Sequence, residues 1–216
     1  MSKKKLKIMV SSTVYGVEEL LDRVFALLTG FGYQTEYGYE VLMSHKGTVP
    51  VSSNETAFES CLKAVEKCDL FLGIITPQYG SGVDASGLSI THQEMKRAIE
   101  LNKPRWFLAH DHVVFARRML MDLGYKNRDD RSKLDLKRGA SSISNLKVID
   151  LYEDATMEHL PLDERQGNWV QKFQSDLDAS VFVTAQFSRY QDVEELLKQH
   201  FENAELVVKK FGARHE

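Results

Sequence analysis

The chain has 216 residues, Lys+Arg 28 against Asp+Glu 31, a formal charge of -3 and 43% hydrophobic residues. That length holds one α/β domain with an elaboration and little more. The near-neutral balance, with a sequence pI of about 6.2, excludes the basic composition of a nucleic-acid-binding protein, so no nucleic-acid partner is expected.

No apolar run is long enough to span a bilayer, and the short basic run Lys3-Lys4-Lys5 passes directly into Leu6–Val10 without the apolar core of a signal peptide. The expectation is a cytoplasmic protein with no membrane partner. Cys61 and Cys68 lie seven positions apart in one predicted helix, too far for a disulfide, and read as buried thiols. With no cysteine–histidine pattern in the chain, neither a metal site nor a resident cofactor is expected.

Residues 6–12 predict a first strand that ends in hydroxyl-bearing Ser11-Ser12-Thr13. Apolar positions from Val17 to Leu28 mark a helix ended by Gly30 and Gly32, and Tyr33–Tyr37 predicts the second strand, with Glu40 to Ser53 as loop. Asn54 is read as the cap of a helix running to Lys67. Leu70–Ile75 is an almost uninterrupted apolar strand, the signature of burial on both faces in a parallel sheet. A Gly/Ser-rich loop, a helix near 91–102 and a strand at Arg105–Ala109 complete the alternation.

Beyond His110, Val113–Leu123 reads as a helix, residues 124–145 as a solvated excursion or mobile flap, and Leu146–Ile149 as a strand. Trp169–Leu177 then reads as helix, Ser180–Phe187 as strand and Tyr190–Phe201 as amphipathic helix. The expected fold is an open α/β parallel sheet with helices on both faces, in which ligands bind beyond the carboxyl ends of the strands. A core over 1–110 and a C-terminal α/β elaboration over 111–216 packed on it are the expected organisation.

The candidate chemistry collects at that edge. Ser11, Ser12 and Tyr15 precede a helix and could hold a phosphate or ribose oxygen, or serve as a cap and turn. Tyr79, after the third strand, would stack on a base or cover the core. Glu94 has two readings: the capping-box partner of Thr91, three residues earlier, or a carboxylate facing a cleft. A carboxylate suits N-glycosidic cleavage because positive charge grows on the ribose as the base departs. His92 is a weaker candidate for contact with the leaving group or ribose, and Ser81, Asp84 and Ser86 could orient hydroxyls from the loop. Phe115, Met119, Met121 and Leu123 read as core, or as an association patch if exposed. The P-loop and the dinucleotide fingerprint are both missing from the sequence.

The run Lys7–Gly16, the run Cys61–Ile74, Tyr79-Gly80, Gly87–Glu94 and Ala98–Pro104 together resemble DUF4062, a relative of the TIR domains and the nucleoside deoxyribosyltransferases. The resemblance covers about residues 6–110 and implies a TIR-like, flavodoxin-like fold. It further implies that NAD or a nucleoside binds at the carboxyl edge as substrate, with Glu94 performing glycosidic-bond chemistry and Ser11, Ser12 and Tyr15 on the ligand-facing loop. It also implies a defence or signalling role, homo-oligomers and a separately encoded sensor or effector partner. A non-catalytic interaction or nucleotide-sensing module and a nucleoside deoxyribosyltransferase are the alternatives.

Overall fold

In the computed structural model the described residues are 5–31, 39–80, 82–189 and 197–203. Among them, five strands form one parallel sheet in the order β2-β1-β3-β4-β5. The strands are β1 (Lys7–Ser12), β2 (Glu40–Leu42), β3 (Leu70–Ile75), β4 (Arg105–His110) and β5 (Val170–Phe173). Helices flank both faces: α1 (Glu18–Gly30), α2 (Ala57–Lys67), α3 (Ile90–Glu100), α4 (Asp111–Asp122), the short α5 (Arg128–Arg131), α6 (Lys147–Thr156) and α7 (Asp176–Phe187). No helix among these residues is long and apolar enough to cross a membrane.

β3 sits at the centre because all six of its residues are buried, as an apolar run without alternation requires. On one face Ile8, Val10, Leu70, Leu72 and Ile74 pack with α1 and α7; on the other Met9, Phe71, Ile75 and Phe107 pack with α2, α3 and α6. Gly73 is required where the second face is tightest: a Cβ there would lie 2.6 Å from the Phe107 ring. The chain runs from β1 to β2 on one side and then crosses to β3 on the other, so the connections diverge between β1 and β3. There the carboxyl ends lie in register, Ser11 beside Gly73 and Ser12 beside Ile74. Such a divergence opens the crevice in which doubly wound sheets bind ligands.

Several expectations are corrected. The expected strand Tyr33–Tyr37 lies outside the described residues, and the strand beside β1 is Glu40–Leu42, within the segment read as loop. Thr56, not Asn54, caps α2, because Thr56 and Glu59 form a reciprocal capping box. Leu146–Ile149 opens helix α6, whose buried Val148, Ile149, Leu151 and Ala155 follow helical spacing once the window is lengthened. Trp169–Leu177 contains strand β5, and Ser180–Phe187 is helical within α7: the Ser175–Asp178 capping box starts a helix through a β-branched run.

Residues 124–145 are an excursion with one helical turn, yet they are anchored. Arg131 is buried there and pairs with Asp150 and Glu153 of α6, each at 2.6 Å. Of the expected helix Tyr190–Phe201, the described part from residue 197 is helical. Phe115, Met119, Met121 and Leu123 are solvent-exposed, against the core reading. α4 follows β4 at the last-but-one strand of the sheet and buries only Val113 and Leu120 fully.

Candidate active site

Three elements converge on one carboxyl group. Ser11, next to last in β1, is 1% exposed and donates its hydroxyl hydrogen to Glu94 Oε2 at 2.5 Å. Glu94 projects from α3 and is 3% exposed. The Cys61 thiol, from α2, lies close enough to the same carboxyl to help lower its pKa. The contact with Ser11 puts the carboxyl at the carboxyl end of β1, beside the divergence between β1 and β3.

Glu94 reaches this position because α3 begins earlier than the sequence suggested. Ser89 is its N-cap and accepts from the His92 N–H, which leaves Thr91 within the helix. Glu94 therefore lies beyond the capping positions, and the Thr91 capping box does not form. The structure overturns the Thr91 cap, and it has the Glu94 carboxyl buried against Ser11 rather than open to a cleft.

Burial pushes the Glu94 carboxyl up to about 7, although the Ser11 and Cys61 hydrogen bonds pull it back down. Burial, reinforced by the adjacent Glu94, pushes the Cys61 thiol up to about 12. Cys61 is thus a neutral thiol and a poor nucleophile.

A second buried chain begins two residues before Glu94. The Tyr79 hydroxyl lies 2.8 Å from His92 Nδ1, and His92 Nε2 lies 2.8 Å from Asp154 Oδ2. Arg128 donates to the other Asp154 oxygen at 2.5 Å. Burial raises the Asp154 carboxyl, but the His92 and Arg128 hydrogen bonds outweigh it and hold the group below the ordinary carboxylate range. An ionised Asp154 accepts from Nε2, so in the neutral ring Nδ1 accepts the Tyr79 hydroxyl hydrogen. The Tyr79 oxygen accepts the Ser89 N–H at 3.3 Å. Tyr79 and His92 thereby lock the cap of α3, and with it the helix that carries Glu94.

The expected residues therefore divide. Ser11 and Glu94 meet, as do Tyr79 and His92, both at most 3% exposed rather than lying open over a cleft. Ser12 is half-buried and donates to the Thr13 carbonyl, while Tyr15 is 67% exposed. Ser81 lies outside the described residues. Asp84 and Ser86 bond each other in an exposed turn, the Ser86 hydroxyl donating to Asp84 Oδ1 at 2.5 Å. Cys61, Asp154 and Arg128 were not anticipated as site residues. Cys61 was expected only as a buried thiol, and nothing local marks Asp154, 62 positions from His92.

Residues 7–202 match the family model described as domain of unknown function DUF4062. The chain belongs to that family. No curated protein matches it. Among solved structures it is similar to a conserved protein from Enterococcus faecalis V583, at 12% identity and a TM-score of 0.36, over 84% of this chain and 99% of that one.

Within this DUF4062 chain the Glu94 environment has a defined chemical capacity. A carboxyl with a pKa near 7 is present in both protonation states at neutral pH, which suits proton transfer. Its deprotonated form, little screened by solvent, interacts strongly with positive charge developing nearby. The Ser11 hydrogen bond fixes its orientation.

Proposed function

We propose that this DUF4062 protein is a TIR-like nucleotide-processing enzyme that cleaves the N-glycosidic bond of NAD or a related nucleotide, with Glu94 as the catalytic carboxylate. The supporting observation is the Glu94 carboxyl itself: buried, raised to about 7, and held by Ser11 at the carboxyl end of β1. Perturbed carboxyls beside a crevice of this kind are where acid–base and electrostatic catalysis is built. In the reaction the bond between C1′ and the base nitrogen breaks and its electron pair leaves with the base, so cationic nicotinamide departs neutral. The ribose takes up positive charge, which ionised Glu94 stabilises or captures. Water then adds its oxygen at C1′ and loses a proton. Because Glu94 is closed to solvent, this reading requires the elements packed around it to part for substrate. A defence or signalling role rests on the TIR resemblance.

The test is incubation of concentrated protein with NAD and, separately, with deoxynucleosides, beside Glu94→Gln. Release of nicotinamide that falls about a hundredfold or more in the variant supports the reading. Undiminished turnover in Glu94→Gln removes the residue from its role, and base exchange without NAD consumption assigns deoxyribosyl transfer instead. The exposed Phe115, Met119 and Leu123 favour a second reading, a non-catalytic module that acts by association. Self-association with no turnover in either protein supports that one.

A further inference from the structure

We infer that His110, Asp111 and His112 form a binding site for one divalent transition metal ion at the carboxyl end of β4. β4 ends at His110 and α4 begins at Asp111, with no connecting loop. This abrupt change from strand to helix gathers three consecutive side chains, and one donor atom from each lies within 4.8 Å of the other two.

The hydrogen bonding within the cluster leaves one carboxylate oxygen unpartnered among the described residues. His110 Nδ1 accepts the backbone N–H of His112 at 3.2 Å, a bond that engages its in-plane lone pair and that an ion bound at this nitrogen would displace. Asp111 Oδ1 lies 3.2 Å from the same nitrogen. Oδ1 is itself buried and has no hydrogen-bond partner among the described residues. A buried carboxylate oxygen without a partner costs free energy, and a cation beside it, a bound metal ion or the protonated His110 ring, removes that cost. Edge-on packing fixes the His110 ring between His112 at 4.6 Å and Phe173 at 5.3 Å between centroids.

Two imidazoles and a carboxylate are the donors preferred by zinc and the neighbouring divalent metals, rather than by magnesium or calcium. Three protein donors leave at least one coordination position for water or an oxygen of a ligand. That position lies at the sheet edge where α/β proteins bind their ligands. The first turn of α4 carries partial positive charge, which opposes a cation, so micromolar rather than nanomolar affinity is expected.

The site is tested by titrating the untagged full chain with Zn²⁺ by calorimetry and with Co²⁺ by visible absorption, beside Asp111→Asn and His112→Ala. Circular dichroism checks that both variants fold. One equivalent bound, with cobalt absorption in the visible and affinity at least about tenfold lower in each variant, is the expected result. Failure of the wild-type chain to bind either metal overturns the inference, as does binding that neither substitution weakens. So does an Asp111→Asn effect confined to the titration of His110, since the pair is then an ion pair only.

Discussion

Ser11 and Glu94 are 83 positions apart in the chain, yet the serine hydroxyl donates to the glutamate carboxyl at 2.5 Å with both side chains out of solvent. This contact joins the end of the first strand to the helix after the third. It also makes the protonation of one buried carboxyl a property of the whole fold.

Stability should carry the signature of Glu94. Its folded pKa, about 7, lies above the ordinary 4.5, so its contribution is fully present below about pH 4.5 and is lost as pH rises through about 7. Relative to Glu94→Gln, the wild-type protein should lose on the order of 3 kcal/mol between acidic and mildly alkaline solution. Urea unfolding of both proteins at about pH 5 and pH 8 measures this. A difference that does not change with pH would contradict the assigned burial.

Ser11→Ala removes one of the two donors that lower the Glu94 pKa, so the carboxyl should titrate at a still higher pH. Infrared difference spectroscopy of the carboxyl band through a pH titration reads this directly. If the enzymatic reading holds, the rise in rate with pH should move upward with it. An unmoved band would mean that the Ser11 hydroxyl does not serve the carboxyl.

Tyr79→Phe leaves the Ser89 N–H and His92 Nδ1 without their buried partner and should cost about 1–3 kcal/mol. Because His92 links Tyr79 to Asp154, the change should couple to Asp154→Asn. A double-mutant cycle of unfolding free energies should give an interaction of at least about 0.5 kcal/mol. Strict additivity would show that the three groups do not act as one chain.

Phe115→Ser and Met119→Ser should each change unfolding free energy by no more than about 0.5 kcal/mol, because both side chains are exposed. Had they been core, truncation would cost roughly 2–5 kcal/mol. Light scattering on the same variants tests association: dimers or larger species that dissociate in both would place this face of α4 in a contact between copies.

The central strands were legible because the sequence reports burial on both faces as an unbroken apolar run. Leu70–Ile75 is such a run and occupies the expected residues. Short runs carry no such information. Leu146–Ile149 and Ser180–Phe187 are apolar and partly β-branched, and only the helices they join reveal which periodicity they follow. The His110-Asp111-His112 run was equally silent, because its meaning depends on a helix that begins without a loop.

The sequence by itself determined the parallel α/β alternation and marked Ser11 and Glu94 as candidate residues, since strand ends and helix starts are local patterns. It could not determine where Glu94 points. Ser89 and Thr91 are both competent caps, and which one starts the helix decides whether Glu94 caps it or turns inward. Only the tertiary structure decided that, and only it joined His92 to Asp154 and Ser11 to Glu94. The physical reason is that desolvation and long-range hydrogen bonding depend on packing between segments distant in the chain, and no local pattern encodes it.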